Sequence, residues 1–261
     1  LDEIAEFVNV GERTLSVSET EDKDWINNWK QYFKPFTVDD ILIKPTWETI
    51  PEEHKDKLLI QIDPGTAFGT GMHETTQLCI RQLRKYVNAD SEIIDVGTGS
   101  GCIAVSLARL VPDAQVTAVD LSPQALAVAR RNAERLSVQI RFVQADALAG
   151  LNELADGSFD LIVSNPPYVP QRDRTAMHVN VRDYEPPEAL FVPDDDPLRF
   201  YRAIARAARR LLRPDGRLWF EIYERLADET ARLLADEGFA DIAVRRDIND
   251  KPRMLCCTVK K

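Results

Sequence analysis

Four consecutive residues, Asn165-Pro166-Pro167-Tyr168, have the chemistry to grip a flat amide or amino group. The Asn165 side-chain oxygen and the Pro166 carbonyl can both accept hydrogen bonds from one NH2. The Tyr168 ring can lie against the planar group. The paired prolines hold the backbone, so these acceptors need little reorganisation. Upstream, Gly97-Thr98-Gly99-Ser100-Gly101 puts glycine where a backbone must approach a ligand or take positive φ. Its spacing is G-x-G-x-G, with Cys102 where the dinucleotide fingerprint has its last glycine. Asp120 can accept both hydroxyls of a ribose. Asp146-Ala147 is placed to meet an adenine edge. No metal is expected: His73 has no second His or Cys at ligand spacing, and Asp194-Asp195-Asp196 reads as a solvated turn.

Each group sits where an apolar run stops. Ile93–Val96, Val116–Val119, Ile140–Gln144 and Phe159–Ser164 read as strands, and Cys102–Ala108 reads as an apolar helix. Two prolines cannot continue a central ladder, so the fourth of these strands ends at Asn165. Open α/β sheets bind ligands at strand carboxyl ends, which is where all four groups fall. Strands and helices alternate from 92 onward: 92–96, 101–110, 115–119, 123–136, 140–144, 160–164, 198–213, 216–222, 224–238, 241–247 and 253–259. Alternation predicts a parallel sheet with right-handed crossovers. The last two strands are joined only by Asn249-Asp250-Lys251-Pro252, too short for a crossover, so they form an antiparallel hairpin. Ahead of the sheet, a helix spans 74–86 and a hairpin turns at Asp39-Asp40 within Val38–Trp47. Asp24–Phe33 reads as a helix whose Trp25, Trp29 and Phe33 make one apolar stripe. Residues 169–197 lack periodicity and read as a long loop covering the substrate.

The order of these signals points to S-adenosylmethionine. It resembles the class I methyltransferases. From about Gly97 onward the chain resembles the HemK-type protein-glutamine N5-methyltransferases that modify peptide release factors. The residues carrying this are DVGTGSGCIAVSLA, VTAVDLSPQALAVARRNAERL, FDLIVSNPPYVP, VRDYEPPEALFVPDDDPLRFYRAI, LRPDGRLWFEI and DINDKPRML. The run Asp183-Tyr184-Glu185-Pro186 is the most specific of them. The resemblance implies a seven-stranded sheet of order 3-2-1-4-5-7-6. It implies S-adenosyl-L-homocysteine as product, and a catalytic and substrate-binding set of Asn165, Pro166, Pro167 and Tyr168. The cofactor set it implies is Asp95, Gly97, Thr98, Gly99, Gly101, Asp120, Leu121, Asp146, Ala147 and Asn165.

The front resembles another family, the bacterial methyltransferases of ribosomal large-subunit protein eleven, which trimethylate amines. DWINNWKQYFKPF, ILIKPTWE and IDPGTAFGTGMHETTQLCI carry this likeness, between about Asp24 and Tyr86. It adds Phe68 and Thr76 to the cofactor set. The HemK-type Arg-Pro-Glu-Thr-Glu segment is missing, and the ribosomal-protein enzymes lack the Pro-Pro-Tyr found here. Composition changes along with the likeness. Of 33 Lys and Arg, residues 1–100 hold seven Lys and three Arg, and residues 101–261 hold three Lys and twenty Arg. This pattern predicts a fusion joined near Gly97–Gly101. Three outcomes follow: a glutamine methyltransferase, a lysine or amino-terminal methyltransferase, or a fused chain that holds cofactor without turnover. An adenine-N6 enzyme is a weaker fourth.

At 261 residues and 44% hydrophobic, the chain has room for one large α/β domain at 51–261 and an appendage at 1–50. Net charge is −10, which argues against nucleic acid as the main partner and leaves a protein substrate. The Arg-rich Ala205–Arg213 reads as a solvated helix face. Cys79, Cys102, Cys256 and Cys257 contain no C-x-x-C and read as small apolar residues in a reducing compartment. No apolar run approaches 18 residues, so a cytoplasmic protein with no membrane partner is expected.

Overall fold

The alternating pattern from residue 92 onward builds the predicted sheet. The computed structural model describes residues 34–63, 74–177, 186–247 and 249–259, with the backbone alone at 74–77 and 176. The Asp24–Phe33 helix, its Trp25/Trp29/Phe33 stripe, Phe68, His73 and Asp183–Glu185 therefore lie outside the described residues. Residues from Lys34 onward make one contact unit.

Three strands come first: β1 (Phe36–Val38), β2 (Ile41–Lys44) and β3 (Leu58–Gln61). β1 and β2 form the predicted hairpin, Val38 opposite Ile41, with Asp39 at φ +53° in the turn. Asp tolerates that region better than most residues. β3 then adds in parallel to β2, which sequence reading missed. A four-residue strand reached across an irregular link leaves too short a pattern to register.

Helix α1 (Glu74–Leu83) leads into the large sheet. Its elements are β4 (Glu92–Val96), α2 (Cys102–Leu110), β5 (Gln115–Asp120), α3 (Pro123–Arg135), β6 (Arg141–Gln144) and β7 (Phe159–Ser164). After β7 come β8 (Val169–Pro170), α4 (Pro187–Leu190), β9 (Phe191–Val192), α5 (Arg199–Leu211) and β10 (Leu212–Glu221). The chain ends with α6 (Ala227–Asp236), β11 (Phe239–Arg246) and β12 (Pro252–Val259). The large sheet runs β6-β5-β4-β7-β10-β12-β11, which is the order 3-2-1-4-5-7-6. β4, β5, β6, β7 and β10 are mutually parallel, while β12 is antiparallel to both β10 and β11. Gly97, Asn165 and the other strand ends thus emerge on one edge.

Central strands are apolar on both faces because both are covered. Ile94 and Ile162 face a cluster with Tyr201, Ile204 and Leu211 of α5 and Leu234 of α6. Ile93, Leu161 and Val163 face Cys79 and Leu83 of α1 and Ile103 and Leu107 of α2. Cys256 and Cys257 fall in these opposite clusters, as their adjacency in a strand requires. The small sheet packs Ile41, Ile43 and Ile60 against Ile80, Cys102, Val105 and Ala133.

Two expectations need correction. Residues 169–197 are not featureless: β8 and β9 pair in parallel, Val169 opposite Phe191, with a 3-10 turn over Gln171–Ala176 between them. Two-residue strands twenty residues apart carry no periodic signal. The helix read over 224–238 is a 3-10 turn, Glu224–Leu226, followed by α6. Asp194–Asp196 does form a turn, in which Asp194 accepts the Arg172 N–H at 2.9 Å and Asp196 pairs with Arg202.

Candidate active site

The Gly-rich turn follows β4, and local geometry accounts for its composition. Gly97, Gly99 and Gly101 all have positive φ. Gly101 is the most constrained, at +83°. A Cβ there would sit 2.9 Å from the Ala129 Cβ of α3, so α2 and α3 approach through it. Gly101 thus does the close packing that a third fingerprint glycine would do at 102. Cys102 instead points into the small-sheet core, and burial pushes its thiol up to about 12.

Two carboxylates shape the turn. Asp95 is 1% exposed; its Oδ2 accepts the Thr98 hydroxyl at 2.7 Å and the Ala104 N–H at 3.2 Å. Its Oδ1 is buried with no hydrogen-bond partner among the described residues. Burial pushes the Asp95 carboxyl up to about 7, against those two donors, and the Asp120 charge adds to the rise. Asp120, at the end of β5, accepts the Gly99 N–H through Oδ2 and the Ser122 N–H through Oδ1, each at 2.9 Å. Each oxygen keeps a second lone pair, so an oriented carboxylate remains for a diol. Leu121 is 62% exposed, a large apolar side chain at a strand end. Its carbonyl accepts from Gln144. Asp146 caps the following 3-10 turn through the Leu148 N–H at 2.8 Å, with half-buried Ala147 beside it. Thr76 lies in α1.

These features fit a nucleoside-bearing cation. A glycine turn leaves backbone room, Asp120 offers paired acceptors, and buried Asp95 fixes the turn through the Thr98 hydroxyl and the Ala104 N–H.

Asn165 leaves β7 half-buried, followed by buried Pro166 and half-buried Pro167 and Tyr168. Ser164, the residue before, donates to the Val96 carbonyl at 2.7 Å, and the Asn165 carbonyl lies 3.8 Å from where a Gly97 Cβ would be. The two motifs are thus adjacent at the β4–β7 edge. The Tyr168 hydroxyl donates to Glu221 Oε1 at 3.0 Å, and its ring stacks on Tyr223, 6.0 Å between centroids. Burial raises the Tyr168 phenol well above its ordinary value, with Glu221 adding to the effect.

The structure also brings Glu221, which sequence reading did not single out, to the edge of Asn165-Pro166-Pro167-Tyr168. Glu221 lies 53 residues beyond Tyr168, and only sheet pairing joins them. Asn132 was also missed. It is 1% exposed on α3 and donates to the carbonyls of Asp63 at 3.1 Å and Ser100 at 2.9 Å. Its Oδ1 accepts the Asp63 N–H at 3.1 Å. A buried Asn in an otherwise apolar helix stripe was the available signal.

Sheet order and site edge define a class, and comparison with known proteins agrees: the chain belongs to the class I S-adenosylmethionine-dependent methyltransferases. Residues 2–166 match the family described as ribosomal protein L11 methyltransferase (PrmA), and residues 88–255 match a methyltransferase domain. A release factor glutamine methyltransferase of Bacteroides thetaiotaomicron is 49% identical over 62% of this chain and 58% of its own length. A ribosomal protein L11 methyltransferase of Lachnoclostridium phytofermentans is 46% identical over 60% of this chain and 49% of its own length. The chain thus matches about half to three fifths of these relatives. The crystal structure of a ribosomal protein L11 methylase from Lactobacillus delbrueckii subsp. bulgaricus shares the fold, with TM-score 0.65 and 24% identity over 88% of this chain and all of that one.

Proposed function

We propose that this chain methylates the side-chain amide nitrogen of a glutamine in a protein, of the peptide release factor type. The observation that carries the proposal is Asn165-Pro166-Pro167-Tyr168 at the end of β7, beside the glycine turn of β4. S-adenosylmethionine, when bound, supplies a methyl made electrophilic by its sulfonium. Phe68, Thr76, Asp95, Gly97, Thr98, Gly99, Gly101, Asp120, Leu121, Asp146, Ala147 and Asn165 are the residues proposed to hold it. Residues 51–261 carry this machinery.

An amide nitrogen is a poor nucleophile because its lone pair is delocalised. Asn165 Oδ1 and the Pro166 carbonyl accept its two N–H groups, which favours positive charge building on nitrogen. Acceptors fixed beforehand cost no reorganisation at the moment of transfer. The remaining contribution is alignment of acceptor and donor.

The PrmA match over residues 2–166 favours a second reading, methylation of an amine in ribosomal protein L11. An amine must first lose its proton, and clamping two N–H groups does not remove one. A fused chain that holds cofactor without turnover is the third outcome. S-adenosylhomocysteine titrated by calorimetry, followed by labelled methyl transfer to purified release factor and to L11, separates them. Label on release factor supports the first reading, label on L11 alone the second. Micromolar binding with no label on either supports the third.

A further inference from the structure

Glu221 ends β10 and is 2% exposed. β10 runs parallel to β7 with Phe220 opposite Ser164, so Glu221 and Asn165 directly follow a paired position on neighbouring strands. The Tyr168 hydroxyl donates to Glu221 Oε1 at 3.0 Å. Tyr223 stacks on the same ring at an interplanar angle of 15°.

Tyr223 is anchored in turn. Its hydroxyl donates to Asp173 at 2.8 Å, and its N–H donates to the Tyr201 hydroxyl at 3.3 Å. The Tyr201 hydroxyl donates to the Glu221 carbonyl at 3.1 Å. The contacts form a closed circuit: Glu221 side chain, Tyr168, Tyr223, Tyr201 and back to the Glu221 backbone. An apolar side chain would fill the end of β10 without the desolvation cost of a carboxyl group. The carboxyl's effect is local. It fixes the one aromatic side chain of the acceptor motif, which unlike Pro166 and Pro167 is not locked by a backbone ring.

We propose that Glu221 is a positioning residue for the methyl acceptor, acting through the Tyr168 phenol to hold the wall against which the acceptor's planar group lies. This rests on the methyl-transfer reading of Asn165-Pro166-Pro167-Tyr168. Glu221 does not touch the acceptor in this assignment; Tyr168 does. Positional errors of an ångström in such a wall cost up to about a hundredfold in rate.

The test uses the full chain, labelled S-adenosylmethionine and purified bacterial release factor. Glu221→Ala and Tyr168→Phe each lower kcat at least about tenfold, and the double variant falls no further than the worse single one, as expected of residues acting as one unit. Glu221→Gln keeps a carbonyl oxygen for the phenol and recovers most of the loss. The dissociation constant of S-adenosylhomocysteine stays within about twofold throughout, since the circuit lies on the acceptor side. NMR of carbon-13 tyrosine gives a readout independent of turnover: the Tyr168 ring signal moves in Glu221→Ala and returns in Glu221→Gln. A merely structural role would lower thermal stability, leave kcat per folded molecule unchanged and make the double variant additive, overturning the proposal. Loss in Glu221→Gln equal to that in Glu221→Ala would overturn it too. A wild-type chain that labels no protein sinks the methyl-transfer reading, and this inference with it; an active wild type with unimpaired Glu221→Ala sinks this inference alone.

Discussion

In the proposed reaction Asn165 accepts a hydrogen bond from a fixed place, so its removal should cost rate far more than stability. Asn165→Ala is expected to lower methyl transfer at least about a hundredfold, the usual scale for losing one preorganised hydrogen-bonding partner of a transition state. Its urea midpoint should stay near wild type, because the side chain is half-buried beside the cleft. Near-normal turnover would remove Asn165 from the reaction. Asp95 makes the opposite case, a group whose cost is thermodynamic. Folded, it holds its proton to about pH 7; unfolded, it loses it near 3.8. Between those values the unfolded chain binds fewer protons, so this group's contribution to stability falls as pH rises through that window and levels off above it. Asp95→Asn removes that slope. Urea unfolding should find the variant gaining stability over wild type between pH 5 and pH 8, and an unchanged difference would refute the assignment. Asn165 was legible in the sequence because it ends an apolar run, and Asp95 was expected only through the family resemblance. Glu221 was not, because nothing local distinguishes a carboxylate at one strand end from a solvated one.

Elements were legible where their period was long. The helices and strands from 92 to 144 fall within a residue or two of their expected bounds, since the apolar pattern fixes them. Pairings between short distant strands, β2 with β3 and β8 with β9, left no periodic trace. The same scale explains the glycine turn. Gly101→Ala puts a methyl 2.9 Å from Ala129 and forces a left-handed residue at φ +83°. The expected loss is about 2–4 kcal/mol from strain and overpacking together, read by chemical denaturation. Cofactor affinity should fall with it, because α2 must shift from α3. Wild-type stability in this variant would mean that the two helices do not meet through Gly101.

For the whole molecule, the PrmA match over residues 2–166 and the methyltransferase-domain match over 88–255 overlap across the glycine turn, and the question is whether the segment ahead of the overlap supports the site. Asp63 belongs to the front, Asn132 and Ser100 to the glycine-turn half, and Asn132 bonds to both. The Asp63 carboxylate also accepts the Thr46 N–H at 2.8 Å and hydroxyl at 2.7 Å, and it pairs with Arg135. Thr46→Val and Arg135→Gln loosen Asp63 without touching the glycine turn. Each is expected to weaken S-adenosylhomocysteine binding about threefold to tenfold in calorimetry, a coupling of about 1 kcal/mol. Unchanged affinity in both would mean that the front segment is only attached. Asn132 left a signal as a polar residue in an apolar helix stripe, but its pairing with Asp63 could not be read from sequence, because 69 residues separate the two.

The proposed acceptor is an amide. After labelled transfer to release factor, strong acid hydrolysis distinguishes the two chemistries directly. An N-methylated glutamine amide is cut and releases its label as volatile methylamine, whereas a methylated lysine survives as an amino acid. An amide acceptor gives volatile label; label retained on lysine or on an amino terminus, with none released, would rule it out.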